Sequence, residues 1–302
     1  MPHSPRPALS GLLLATAGAI AFSGKSIIVK LSYLYGVDAV TVIMYRMLFA
    51  LPFFMAMGLW AERQAMAREN PLTRRDVMDI VGLGFVGYYL SSYLDFLGLQ
   101  YITASLERLI LYLNPTLVVL LGWAVYKKPI HPIRMLAMAI SYSGVLLVFS
   151  HELSLAGSNV ALGGSLVFGS AVSYAVYLLY SGQLVQRIGS LRLVGWATSV
   201  ACVCCIAQFV VLRPLSAADV PVQVLWLGVL NAVACTVAPV LMVMMAIERI
   251  GAALTAQTGM IGPMSTIALG VLLLGEPLNV WIGVGTLLVV SGVFIVSKYG
   301  AK

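Results

Sequence analysis

The chain has 302 residues and a mass of 32.3 kDa; 61% of its residues are hydrophobic, 10% are charged, and the mean hydropathy is +0.98. Eighteen Lys and Arg with eleven Asp and Glu cannot cover a soluble particle of that size, which excludes a soluble globule and leaves a multi-spanning membrane protein. The net charge of +7 then becomes a question of which loops hold the cations rather than a nucleic-acid footprint.

Apolar runs of roughly 17–25 residues, enough to cross ~30 Å of hydrocarbon as a helix, predict ten spans near 8–31, 39–60, 78–97, 102–126, 132–150, 160–186, 194–212, 222–246, 251–274 and 280–297. They are far longer than the ~10 alternating residues of a barrel strand, so the predicted fold is all-α. The first run follows Arg6 and holds a small-residue Ala19-Ile20-Ala21, as a cleavable leader would, but it continues apolar through Ile27-Ile28-Val29 and reads as a span. Lys25 lies near its outer end, and Arg46 lies in the second run. The stretch 61–77, with Glu62, Arg63, Arg68, Glu69, Arg74, Arg75 and Asp76, is a linker. The third run carries Tyr88-Tyr89-Leu90-Ser91-Ser92-Tyr93 and then Asp95, with Tyr88 and Ser92 on one helix face. The fourth opens on Glu107-Arg108 and is interrupted at Asn114-Pro115, and Tyr174 and Tyr177 are neighbours in the sixth. Cys202, Cys204 and Cys205 in the seventh run and Cys235 in the eighth sit in apolar sequence, and His3, His131 and His151 have no ligand at metal spacing. Neither a disulfide framework nor a metal site is therefore expected. The eighth run adds Asn231 and Thr236 before a break at Ala238-Pro239, and the ninth adds Gln257 and an interruption at Gly262-Pro263. Gly24-Lys25-Ser26 loosely completes a phosphate-loop pattern, but inside an apolar span with no strand before it; no nucleotide or other cofactor is expected.

With ten spans both termini share a side, and that side collects thirteen cations, Arg63, Arg68, Lys127, Lys128, Arg187, Arg192 and Arg249 among them, against Lys30 and Arg213 opposite. This asymmetry predicts cytoplasmic termini. Shifting the chain by 148 positions aligns 102–150 with 250–298: Pro115 falls on Pro263, Gly122 on Gly270, Pro129 on Pro277, and Ser143-Gly144-Val145 on Ser291-Gly292-Val293. A weaker match near 152 sets Gly11 on Gly163. The chain therefore reads as two five-helix halves, 1–150 and 151–302. An odd number of spans per half makes the repeat inverted, the architecture of secondary transporters that work by alternating access.

Tyr45-Arg46, the stretch 98–104 (Gly-Leu-Gln-Tyr-Ile-Thr-Ala), the two proline interruptions, and Leu274-Gly275-Glu276-Pro277-Leu278 resemble the EamA branch of the drug/metabolite transporter superfamily over nearly the whole chain. One departure is Lys127-Lys128-Pro129 in the first half, where the second keeps Gly275-Glu276-Pro277. The resemblance, in general look closest to bacterial amino-acid and aromatic amino-acid exporters, implies a transporter of the inner or plasma membrane, as a monomer or weak dimer. Its partners would be lipid and a small molecule, not nucleic acid. It also implies a central cavity lined by the first, third, fourth, sixth, eighth and ninth spans. Other substrates (drugs, sugars, nucleotide conjugates) and a channel remain alternatives; an enzyme does not, because no nucleophile–base or metal set is clustered.

The candidate substrate-binding residues are Lys25, Tyr88, Ser92, Asn114, Tyr174, Tyr177, Asn231 and Gln257, with Pro115, Pro239 and Pro263 marking helix breaks that free backbone groups beside a cavity. Lys25, Arg46, Asp95, Glu107 and Arg108 are expected at one depth, roughly 9–12 Å below the outer edge. Such charges must face the bundle interior. Either they form an ion-pair seal, with Asp95 on Arg108 or Arg46, or they bind substrate: Lys25 or Arg46 taking a carboxylate, Asp95 or Glu107 taking an ammonium or a proton.

Overall fold

The computed structural model describes residues 5–66, 70–127, 130–156, 158–250, 255 and 258–298. Gln257, and the landmarks Arg68, Lys128, Pro129 and Lys302, lie outside the described residues. All described elements are helical: α1 (Pro5–Tyr33), α2 (Ala39–Met66), α3 (Arg74–Gly98), α4 (Ala104–Tyr126), α5 (Pro132–Ala156), α6 (Ser158–Ile188), α7 (Ser190–Leu212), α8 (Val222–Ala232 continued by Val233–Val237 and Ala238–Ile250), α9 (Gly262–Leu274) and α10 (Val280–Lys298). Helices α1 to α8 are each long and apolar enough to cross a membrane, and α9 and α10 are shorter apolar helices.

Local chemistry sets the ends. Asp38 accepts hydrogen bonds from the backbone N–H of Val40 (2.9 Å) and the Thr41 hydroxyl (2.8 Å) to start α2. A reciprocal Thr73–Asp76 capping box starts α3, and the Thr103 hydroxyl accepts from the Leu106 N–H (3.0 Å) to start α4. Helices α4 and α9 stop alike, on a left-handed residue: Lys127 at φ 54° and Gly275 at φ 66°. Glycine takes that conformation without penalty, while Lys127 carries a Cβ into it.

The interruptions are where the prolines place them. In α4 the segment Ala104–Leu111 ends and a new one begins at Asn114 with Pro115 in its first turn; in α9 a 3-10 turn Gly259–Ile261 precedes Gly262-Pro263 in the same way. Proline has no N–H to give, and the first turn of a helix needs none. Ahead of Ala238-Pro239 the accommodation is a π turn, Val233–Val237, in which the Thr236 hydroxyl donates to the Asn231 carbonyl (2.8 Å). A second π turn, Gly84–Leu90, lies in α3 without any proline; the Ser173 hydroxyl of α6 donates to its Val86 carbonyl (2.6 Å).

Packing pairs α2 with α7, α5 with α10, α1 with α8 and α9, α3 with α6 and α7, α2 with α8, and α4 with α6 and α9. Contact is closest where side chains vanish. A Cβ on Gly144 of α5 would sit 2.7 Å from the Gly285 carbonyl of α10, and one on Gly87 of α3 only 2.4 Å from the Tyr177 Cβ of α6.

Candidate functional site

The five charges expected at one depth are buried and come from α1, α2, α3 and α4. Lys25, Arg46, Asp95, Glu107 and Arg108 are each at most 7% exposed, so none is a surface ion. Asp95 pairs with Lys25, not with Arg108 or Arg46: the ammonium lies 2.5 Å from Asp95 Oδ2 and 3.5 Å from Glu107 Oε1. The four-carbon stem lets Lys25 reach both acids. Glu107 also accepts from the Ser26 hydroxyl (2.8 Å), so consecutive residues of α1 address one carboxylate pair. Arg46 is held elsewhere, its Nε donating to Thr236 Oγ1 (3.0 Å) and its guanidinium lying 5.3 Å over the Phe96 ring. Asp95 Oδ1 and Arg46 Nη1 have no hydrogen-bond partner among the described residues.

Arg108 follows Glu107 directly, so its side chain leaves α4 about 100° around the axis. It donates from Nε to Thr266 Oγ1 of α9 (3.0 Å) and from Nη2 to the Phe22 carbonyl of α1 (3.2 Å), with the Phe22 ring 5.7 Å from its Cζ. There it borders a cavity of about 650 Å³ lined from α1, α3, α4, α6, α7, α8, α9 and α10. From Arg108, Phe22 and Ser23 the lining reaches Ala15, Val185, Ser190 and Ile247, near the end of the bundle where α1 begins and α6 and α8 finish. Tyr88, Tyr174 and Tyr177 form one wall: ring centroids lie 4.9 Å apart for Tyr88–Tyr177, 5.6 Å for Tyr174–Tyr177 and 6.3 Å for Tyr88–Tyr174. Gly87 is what allows Tyr177 to lie so close to α3.

Of the residues singled out from the sequence, Tyr88, Asn114, Pro115, Tyr174, Tyr177, Pro239 and Arg108 line this cavity. Lys25, Arg46, Asp95 and Glu107 lie beyond its lining, tied up in the contacts above. Asn231 is 1% exposed within α8, Ser92 is half-buried on α3, and Pro263 is buried one residue after the lining Gly262; none of the three is part of the cavity lining. Sequence reasoning missed Ala15, Gly18, Ala19, Phe22 and Ser23, a stripe of mainly small residues at helical spacing on α1 that admits the cavity, and the α7 residues Ser190 and Val194. The stripe was a readable signal.

At the end where α1 begins, Arg192 pairs with Glu62 and donates to the Asn70 carbonyl (3.0 Å), and Arg187 pairs with Asp76. At the other end, Arg213 pairs with Asp38 (3.2 Å) and Lys30 donates to the Ile102 carbonyl (2.6 Å). Glu276, between α9 and α10, caps α4: its carboxylate accepts from the N–H groups of Ala104 (2.7 Å) and Ser105 (3.2 Å) and from the Ser105 hydroxyl (2.8 Å). No group of three or more His, Cys, Asp and Glu that could hold a metal occurs among the described residues.

The sequence is 31% identical over 304 residues to the uncharacterized transporter YcbK of Bacillus subtilis (strain 168), covering 96% of this chain and 92% of that one. It is 25% identical over 243 residues to the uncharacterized transporter YyaM of the same organism, covering 76% and 78%. A solved crystal structure at 14% identity shares the fold, with a TM-score of 0.62 over 97% of this chain and 98% of that one. The pattern of the EamA-like transporter family matches twice, at residues 9–150 and 161–298, and the chain is a multi-pass membrane protein belonging to that family.

Proposed function

We propose that the chain is a secondary transporter that exports small metabolites, amino acids with apolar or aromatic side chains among them, by alternating access through the central cavity. The observation that carries this reading is the cavity itself: about 650 Å³, walled by tyrosines, bounded by buried charge on one side and extending toward one end of the bundle on the other. A compartment of that size suits a single small molecule. The chain crosses the inner or plasma membrane ten times in two inverted halves, 1–150 and 151–302, with both termini in the cytoplasm, so the cavity extends inward.

Several features support the two-fold plan. Replacing every helix by the one five places along maps the main packed pairs onto one another: α1–α8 becomes α6–α3, α1–α9 becomes α6–α4, α2–α8 becomes α7–α3, and α2–α7, α4–α9 and α5–α10 are unchanged, while the lesser contacts α5–α6 and α4–α10 have no such counterpart. Each half has a π turn in its third helix and a left-handed stop after its fourth. With two related halves the same site can open first to one face and then to the other. The chain carries no nucleotide-binding motif in a fitting context, so the driving force is the substrate's own gradient or a coupled ion.

The test is counterflow. Purified protein in liposomes loaded with unlabelled phenylalanine is expected to accumulate labelled external phenylalanine transiently, with saturation. A flux that rises linearly with concentration and shows no overshoot would refute a carrier and leave a channel.

A further inference from the structure

We propose that Arg108 is the carboxylate anchor of the cavity and that the cargo is a small monoanion, a carboxylate on a flat apolar or aromatic body, in which an ammonium group is tolerated but not required. This rests on the transport reading above and names the chemistry of its site. Among the described residues that line the cavity, Arg108 carries the one side chain charged at neutral pH. The other two buried cations of the layer are committed: Lys25 to Asp95 and Glu107, Arg46 to Thr236 and the face of Phe96.

Arg108 differs from Lys25 in its partners, and from Arg46, whose partners are also neutral, in bordering the cavity. The two it has are neutral, Thr266 Oγ1 and the Phe22 carbonyl, and no carboxylate lies within 4.0 Å of it among the described residues. Those two bonds use two of the five N–H donors of a guanidinium. A cation buried at membrane depth against neutral groups is costly, and an arriving anion offsets that cost. The planar fork matches a carboxylate with two parallel hydrogen bonds. One positive charge balances one negative charge; a phosphate dianion would leave its second charge uncompensated in an apolar enclosure.

The rest of the cavity reads the body. Tyr88, Tyr174 and Tyr177 present ring faces and edges to a flat group. Among the described residues no acid lines the cavity to meet an ammonium. The neutral Asn114 side-chain oxygen, buried and without a partner among the described residues, can accept one N–H from it. The carboxylate is thus the obligatory group and the amine an optional one.

Three probes that differ by one group separate these roles: phenylalanine, 3-phenylpropionate, which lacks the ammonium, and phenethylamine, which lacks the carboxylate. Binding to the purified full-length protein is followed by tryptophan fluorescence, and each probe is also tested in the counterflow assay. Phenylalanine and 3-phenylpropionate are expected to bind within a few-fold of each other, and phenethylamine about tenfold to a hundredfold more weakly, the range of one charge-assisted pair. Arg108→Gln is expected to erase the gap between the acids and the amine. Arg108→Lys, which keeps the charge if the glutamine variant fails to fold, is expected to retain part of it. Equal binding of phenethylamine and phenylalanine to the wild type, a carboxylate preference surviving in Arg108→Gln, or no binding of any probe at millimolar concentration each overturns the anchor. Counterflow of the amine alone overturns the anchor and leaves the carrier standing. Carboxylate-selective binding without counterflow sinks the carrier and leaves the anchor.

Discussion

Replacing Lys25 with Met is expected to destabilise the protein far more than neutralising either acid it touches. Lys25, Asp95 and Glu107 sum to one negative charge, all three at most 6% exposed. Lys25→Met leaves two carboxylates buried together without the cation between them, a loss of about 3–5 kcal/mol for breaking a buried pair from one side. Glu107→Gln instead leaves a balanced Lys25–Asp95 pair and an amide oxygen that still accepts from Ser26, and is expected to cost below about 1 kcal/mol. Asp95→Asn falls between. Attraction scales inversely with distance, so the 2.5 Å contact to Asp95 is worth about 1.4 times the 3.5 Å contact to Glu107. Combining Lys25→Met with Glu107→Gln removes the repulsion between the acids, so the double variant is expected to be more stable than Lys25→Met alone. Unfolding of the purified protein in mixed dodecyl maltoside and SDS micelles measures all four. The reasoning fails if Lys25→Met costs no more than Glu107→Gln, or if the two substitutions simply add.

Gly87→Ala is expected to cost about 1–3 kcal/mol and to narrow the cavity, because its new Cβ would lie 2.4 Å from the Tyr177 Cβ; thermal melting and the affinity for phenylalanine read the two effects. Glu276→Ala removes the acceptor of three hydrogen bonds at the start of α4 and is expected to cost about 1.5–3 kcal/mol. Hydrogen exchange is expected to quicken at 104–106 and not at 114–126; uniform quickening would contradict a local cap. Burial alone would raise the Asp38 pKa, but the Thr41 hydroxyl, the Arg213 guanidinium and the N–H groups of Thr41 and Val40 outweigh it and hold the carboxyl below its usual value. A depressed folded pKa contributes stability that is fully present above the unfolded value of about 3.9 and is lost as pH falls through the lower folded one. Asp38→Asn is therefore expected to flatten the acid limb of a melting-temperature profile below about pH 4, and an unchanged limb would refute this.

Much of the helix plan could be read from the residues, because apolar runs and prolines act locally. Pro115 and Pro263 begin new helical segments at the positions where the sequence is interrupted, since a missing N–H has the same consequence in any context. The partner of Asp95 was not legible. Lys25, Arg46 and Arg108 are equivalent on a depth scale, and only the azimuth of each on its helix separates the cation that meets the acids from the one that meets the cavity. The π turn in α3 was equally hidden, as 84–90 contains no proline, and what holds it includes a hydroxyl of α6, eighty-seven residues from the carbonyl it reaches. Asn231 shows the converse: a polar residue in an apolar run reads as cavity-facing, yet it is buried in the packing of α8 and outside the cavity lining.

The π turn gives α3 one place where a single-residue deletion is absorbed. Such a turn is a stretch of helix that takes up one extra residue by widening. Removing a residue between Gly84 and Leu90 would let the helix regularise locally, at no loss of backbone bonding. Gly84 would stay against Ala197, and Ser91 and Asp95 would stay on Ser170 and Lys25. The regular helix just beyond has no such slack: a residue removed between Ser91 and Asp95 would rotate the two sides by about 100° and shift them by about 1.5 Å relative to one another. The wide turn therefore holds in register the half of α3 that packs on α7 and the half that carries the buried acid.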